Sequence, residues 1–352
     1  MTVVHANDTG VRVRTLQPQD MAAWDRFALA TEPATFFHRA GWKTVVEQAF
    51  GHQTHYLLAE NKGTIVGILP LGRIKSRLFG DTLISIPFGV YGGVVAADKQ
   101  VALLLEQAAM ELAQRLGVGA LEIRSELPLP PPWQTKHLYC TFKKEIFTDA
   151  EANLEAIPRK QRAEVRRGVK LGLTGTVEQE VAGVCYDIYS ESVHHLGTPV
   201  FARRYFAILR EVFGDDCDAL VVRHQSRPVA AVLNFYFRDQ VLPYYGGGIA
   251  DGRRLGATHF MYWDLMNRSA AARGTKIFDF GRSKVGSGSY DFKKFYGFEP
   301  RPLHYAFYLK PGQGMPNISP NNPKYKLFIE LWKKLPLGVS RWLGPMLAKD
   351  LG

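Results

Sequence analysis

At 352 residues the chain is long enough for two ordinary domains that each bury a core, and its 46% apolar and 22% charged residues are globular values. Three cysteines, Cys140, Cys185 and Cys217, lie far apart with no CxxC pair, which argues against a disulfide framework and for a reducing compartment. The net charge of +11 favours anionic partners, whether phosphates, nucleic acid, nucleotide-linked substrates or an anionic membrane surface, without choosing among them.

The N-terminal stretch MTVVHANDTGVRVRTLQ lacks the basic start and apolar run of a secretory signal. No stretch approaches about 18 uninterrupted apolar residues. A cytoplasmic chain that does not span a membrane is expected.

An internal repeat then organises the sequence. The stretch from Thr35, TFFHRAGWKTVVEQAFG, aligns with that from Thr198, TPVFARRYFAILREVFG, so that Trp42 falls on Tyr205 and Phe50-Gly51 on Phe213-Gly214. Both predict an amphipathic helix ending at a glycine. Each is followed by an apolar run, a polar turn (Asn61-Lys62-Gly63 or Gln225-Ser226-Arg227) and a second apolar run, the pattern of a hairpin. Tyr91-Gly92-Gly93 then matches Tyr245-Gly246-Gly247, leading into predicted helices over 100–116 and about 257–273 and short strands from Ala120 and Ile277. The order predicts two homologous α/β domains with mixed sheets, over 1–147 and 172–310.

Between them, 148–171 is predicted as a basic helical connector. Thr148-Asp149-Ala150-Glu151 opens a short helix with a capping-box pattern, and Pro158 suits the first turn of a second. In that second helix Arg159, Arg162, Arg166 and Lys170 share a face while Val165 points away. The tail, 311–352, carries an amphipathic, basic, tryptophan-bearing segment from Tyr325 to Lys349, which either docks on its own domain or lies on a membrane surface.

The repeated order resembles the GNAT acyltransferase fold, and a tandem pair joined through a basic helical segment resembles the FemAB family. The motifs that carry the likeness are IPRKQRAEVRRGVKLG from Ile157 and FDFGRSKVGSGSYDFKKFYGFEP from Phe278, the second being similar to the Fem pattern of an Asp-Phe-Gly strand end, a glycine-containing loop and Phe-Lys-Lys. The segment SVHHLGTPVFARRYF from Ser192 resembles FemAB-related proteins associated with exosortase (PEP-CTERM) and exopolysaccharide systems. The likeness runs to about Leu309. It implies transfer of an acyl or aminoacyl group to an amine of a cell-envelope precursor at the cytoplasmic face, with acyl-CoA or aminoacyl-tRNA as donor and no tightly bound cofactor. A lipid-linked sugar is an implied acceptor, with tRNA and the membrane surface as further partners.

Direct aminolysis needs an unprotonated amine, a group that polarises the carbonyl, and donors close to the oxyanion. Lys293, the first Lys of the Phe-Lys-Lys motif, is the candidate for stabilising the developing charge or anchoring a phosphate. Asp279 either orients the amine, pairs with Lys293, or satisfies nearby backbone donors. Arg253-Arg254-Leu255-Gly256-Ala257-Thr258 approximates the GNAT phosphate loop at a helix N-terminus, so Arg253, Arg254, Gly256, Ala257 and Thr258 are the donor-binding candidates. The first domain offers only Ala96-Ala97-Asp98-Lys99 there, without the glycine, and is not expected to hold a second donor. Candidates for the acceptor pocket are His195, Thr198, Tyr245, Arg282, Ser289 and Tyr290, with Arg159 and Arg162 on the basic helix. His194 and His195 diverge by about 100° on a helix and do not make the usual i, i+4 metal pair. The Asp-Phe-Gly string does not make a kinase, since neither an HRD loop nor a VAIK strand accompanies it. A degenerate, non-catalytic relative that binds an anionic lipid-linked precursor or nucleic acid is the competing reading.

Overall fold

The computed structural model describes residues 5–6, 10–76, 80–315 and 323–350. Parts of the N-terminal stretch and the side chain of Tyr325 lie outside these. The chain divides into two compact units. The first holds the described residues up to Leu138, those from Pro302 onward as far as 315, and Lys349 with Asp350; the second holds Tyr139–Arg301 and the described part of the tail up to Ala348.

The first unit opens with β1 (His5–Ala6), β2 (Val11–Thr15), α1 (Met21–Ala30), α2 (Gly41–Phe50), β3 (Gln53–Thr54), β4 (Leu57–Asn61) and β5 (Thr64–Leu69). There follow β6 (Leu71–Ser76), β7 (Gly80–Ser85), β8 (Val95–Ala96), α3 (Lys99–Leu116) and β9 (Ala120–Ser125). An antiparallel sheet runs β1-β2-β4-β5-β8. Pro70, which has no N–H for a ladder, separates β5 from β6. There the strands pass to a second sheet, in which β3, β6 and β7 pair antiparallel and β7 runs parallel to β9. One face of α3 (Val101, Leu105, Ala108, Ala109, Leu112) packs into a core with Val13, Leu57, Leu69, Leu83 and Leu121.

β10 (Gln134–Glu145) enters the second unit at Tyr139. After it come α4 (Ala150–Glu155), α5 (Arg159–Lys170), β11 (Thr174–Glu178), α6 (Tyr186–His195), α7 (Arg203–Phe213), β12 (Cys217–His224), β13 (Arg227–Phe237) and β14 (Gln240–Gly248). The unit continues with α8 (Ala250–Arg254), α9 (Ala257–Arg273), β15 (Ile277–Asp279), β16 (Ser283–Lys284) and α10 (Gly288–Phe295). Its strands β11 to β14 are antiparallel in sequence order, β14 and β15 are parallel, and residues 143–145 and 139–140 of β10 pair with β15 and β16. β17 (Pro300–Leu309) carries the chain back to the first unit, where residues 304–309 pair with β9; α11 (Pro323–Lys333) and α12 (Leu337–Ala348) belong to the second.

The repeat is visible in matching details. Trp42 on α2 and Tyr205 on α7 are both fully buried. Both hairpins turn through two residues of positive φ, Lys62 (49°) with Gly63 (80°) and Gln225 (48°) with Ser226 (69°), the turn that fits strand twist.

The structure shifts two of the expected boundaries and docks the tail, one of its two expected placements. The stretch 148–171 is helical as expected but belongs to the second unit, with Val165 fully buried and Gly168 against Phe260 of α9, where a Cβ would come 3.0 Å from the phenylalanine. The second unit stops short of residue 310 because β17 completes a sheet of the first. The tail helices dock on α6, with Trp332 buried, His194 Nε2 2.9 Å from the Leu335 carbonyl, and Arg341 Nε donating to Ser190 Oγ at 2.9 Å.

Candidate active site

Strands β14 and β15 run parallel, yet their pairing is confined to Gln240 with Ile277 and Val241 with Phe278. β14 continues to Gly248, whereas β15 ends at Asp279. A bulge sharpens the divergence: Leu233 faces Tyr245 but Asn234 faces Pro243, so Tyr244 is an extra residue in β14. Helix α9 links the two strands, and its first turn therefore stands at their carboxyl ends, where open α/β sheets bind ligands.

The turn into α9 is built around Gly256, whose φ of 72° is left-handed and where a Cβ would come 2.8 Å from the Glu164 carbonyl oxygen on α5. Ala257 is buried, Thr258 half-buried, and Arg253 and Arg254 exposed. The first-turn amides, which a helix cannot pair internally, face the carboxyl ends of the strands together with the positive end of the dipole. Thr258 lies by the end of β14, its Oγ1 3.2 Å from where a Cβ on Gly248 would stand. Arg159 on the neighbouring α5 is exposed. Arg162 is engaged by backbone. Its guanidinium donates to the carbonyls of Ile157 (3.1 Å) and Glu155 (2.8 Å), closing the end of α4.

Across the gap, β15 leads into residues 280–282. Asp279 is buried, and its Oδ1 accepts the Gly281 N–H at 2.8 Å; its Oδ2 is 3.7 Å from Lys143 Nζ on β10, the residue directly opposite in the ladder. Lys293 on α10 is buried, with Nζ donating to the carbonyls of Phe280 (2.7 Å), Gly281 (3.1 Å) and Arg282 (3.0 Å). Burial pushes its pKa down to about 7, against the pull of Asp279. Arg282 stacks 4.8 Å over the Tyr139 ring. Ser287 caps α10, its Oγ accepting the Tyr290 N–H and lying 3.0 Å from Ser289 Oγ. Tyr290 packs edge-on against Phe142 with centroids 5.5 Å apart.

The other expected pocket residues lie elsewhere in the unit. Tyr245 is buried among Tyr189, Phe201, Tyr205 and Phe206, its hydroxyl 2.9 Å from that of Tyr205. Exposed His195 turns Nδ1 back onto the Glu191 carbonyl at 2.8 Å, and Thr198 is exposed just beyond α6. Neither is brought to the β14/β15 gap by any contact of its side chain.

Sequence reasoning missed two residues. Lys143 belongs to a second Phe-Lys-Lys string, Phe142-Lys143-Lys144, and only strand register reveals its place opposite Asp279. His259 sits in the first turn of α9, stacked on Tyr296 at 5.8 Å and beside Phe292 at 5.2 Å. Burial lowers its pKa, with Glu164 acting in the opposite sense, and its Nδ1 is buried with no hydrogen-bond partner. A lone histidine in an aromatic helix carries no pattern by which to find it.

The first unit fills the equivalent place with its own chain. β7 and β9 pair parallel from Thr82 with Ala120 to Ile84 with Glu122, after which Ser85 Oγ accepts the Arg124 N–H at 2.8 Å. Buried Arg124 donates to the carbonyls of Gly89 (2.8 Å) and Ile86 (3.3 Å), and its own carbonyl accepts the Gly92 N–H at 2.9 Å. The segment so held contains Ile86 and Phe88 at φ of 54° and 63°, a strained conformation for side chains of that kind.

Residues 159–294 match the model of the acetyltransferase (GNAT) domain. The fold is that of the GNAT acyltransferases, in tandem. The chain superposes on FemX with a TM-score of 0.66 at 14% identity, over 90% of this chain and 99% of FemX. A tandem GNAT protein from the clavulanic acid biosynthesis pathway gives 0.54 at 12% identity, over 87% and 100%. The C-terminal domain of a candidate lysylphosphatidylglycerol synthetase from Agrobacterium fabrum gives 0.53 at 15%, over 82% and 91%. No curated protein sequence matches the chain.

Proposed function

We propose that the second unit transfers an acyl group from a coenzyme A thioester to an amine by direct aminolysis. The observation that carries this reading is the two-residue pairing of β14 with β15, with the glycine-entered first turn of α9 at their carboxyl ends. The donor diphosphate would meet the amides of Ala257, Thr258 and His259, with Arg253 and Arg254 beside them. The thioester would lie in the gap, where the backbone beyond the Tyr244 bulge offers donors to the oxyanion.

In the reaction the amine lone pair forms a bond to the thioester carbonyl carbon, and the C–S bond then breaks, releasing the thiolate of coenzyme A. The proton lost by the acceptor nitrogen passes by way of water to the thiolate. Lys293 and Asp279 act as positioning residues that fix the backbone of 280–282. Arg282 supplies positive charge on that side, while Lys143 is opposed by Asp279.

The acceptor we favour is an amine of a cell-envelope or exopolysaccharide precursor, following the likeness of the segment from Ser192 to exosortase-associated FemAB-related proteins. Acyl-CoA is preferred to charged tRNA because Arg253–Thr258 approximates a diphosphate loop. The first unit, its equivalent place occupied by residues 86–93, would serve as scaffold or acceptor support without a donor of its own.

The test combines a thermal-shift series over acyl-CoAs and charged tRNA with thiol release on adding amines. Stabilisation by acyl-CoA, about 2.7 kcal/mol at a hundredfold excess over Kd, with thiol release dependent on an amine, supports the reading. A non-catalytic role, favoured by the engagement of Lys293 and Asp279 with their own backbone, would instead show binding with no release.

A further inference from the structure

Trp332 and Ser340, with Gly344 and Ala348, form the buried side of α11 and α12. Gly344 approaches the backbone of Val200, where a Cβ would come 2.8 Å from its carbonyl oxygen. Each helix also presents an exposed apolar side. Leu327 (65% exposed) and Leu331 (57%) lie one turn apart on α11, and Trp342 (68%) and Met346 (54%) one turn apart on α12. Leu196 (66%) follows α6 between His194, which touches Leu335, and Gly197, which lies against Ile329.

We propose that these faces of α11 and α12, continued by Leu196, form a docking surface for an anionic lipid bilayer. Docking within the fold and contact with a membrane were alternatives for this segment in the sequence, and the structure allows both because different faces serve each. A bilayer fits better than a protein partner for two reasons. First, the charge around the exposed apolar side chains is positive: Lys334 and Lys349, which follow the two helices, are exposed, while the acidic Glu330 is held by Lys333 and Asp187 by Arg341, each at 3.1 Å. Second, the most exposed apolar side chain of this surface is a tryptophan on a short helix, the composition of a segment that lies in the headgroup layer. Among the described residues no helix is long and apolar enough to cross a membrane, so the contact is interfacial. The surface adjoins residues 196–200 of the second unit. The inference does not depend on the transfer chemistry, and its test contains no acyl donor.

The probe is the full chain with sedimented vesicles of phosphatidylcholine, alone or mixed with phosphatidylglycerol. Partition is expected to favour the mixed vesicles, to weaken with added salt, and to quench Trp342 with brominated lipid, a quench reduced in Trp342→Phe. Trp342→Ser with Met346→Ser, and separately Leu327→Ser with Leu331→Ser, should each lower partition about tenfold or more while leaving the unfolding midpoint unchanged. No partition to either vesicle, or equal partition of both variants and the parent, overturns the proposal. Self-association abolished by the same variants, without vesicle binding, would assign the surface to a second copy of the chain and overturn it equally.

Discussion

Lys293 Nζ stands 2.7 Å from the Phe280 carbonyl oxygen, and the next two carbonyls, at 3.1 and 3.0 Å, take its remaining donors. In its charged form the amine has three protons, and this arrangement then leaves none directed at a substrate. Replacing Lys293 by Met would strip three carbonyls of their partner and is expected to cost about 2–4 kcal/mol of stability, read by denaturant unfolding. Arg should rescue poorly, because a planar fork cannot meet three consecutive carbonyls converging on one point. A Met variant of parental stability that had lost only turnover would return Lys293 to direct action on the substrate.

Gly256 tests the donor end. Gly256→Ala forces a side chain into a left-handed conformation, at about 1 kcal/mol, and against the Glu164 carbonyl 2.8 Å away. The first turn of α9 must move to relieve the clash. Acyl-CoA affinity should fall more than tenfold by isothermal titration, with a modest drop in unfolding midpoint; unchanged affinity would place the donor elsewhere.

Glu164 also brings a carboxylate to this turn, with Oε2 3.4 Å from the position of a Gly256 Cβ and 3.5 Å from Arg167. A carboxylate near a helix N-terminus interacts favourably with the dipole by about 0.3–1 kcal/mol, and it repels an incoming phosphate. Glu164→Gln is therefore expected to raise acyl-CoA affinity about two- to fivefold while slightly lowering stability. Weaker donor binding in this variant would show that the carboxylate contacts the donor favourably.

The sequence shows the repeat well because its marks are local. Helices ending at Gly51 and Gly214 and turns at Lys62-Gly63 and Gln225-Ser226 are set by neighbouring residues, and periodicity reports them. Partners distant along the chain are another matter. The register that sets Lys143 opposite Asp279, the return of β17 to β9, and the carbonyls that Arg162 satisfies depend on tertiary pairing. Residues 253–258 lead into a helix, as their local pattern predicts, whereas a Phe-Lys-Lys motif cannot report which atoms surround Lys293 Nζ.

His259 offers a pH-dependent test of both stability and turnover. Its folded pKa lies below the ordinary 6.5, chiefly through burial, so the unfolded chain binds the proton more readily. Stability from the neutral imidazole is fully present above about pH 6.5 and is lost as pH falls through that value toward the folded pKa. Denaturant titrations at about pH 7 and pH 5 should show an acid loss that His259→Gln reduces. If His259 also takes the proton from the acceptor amine, the parent's rate should fall on the acid side, and the Gln variant should be slow with that limb absent. An acid limb in kcat/KM that survives in His259→Gln, beside the altered stability profile, would make His259 a packing residue of the α9–α10 aromatic cluster and leave the proton to another group.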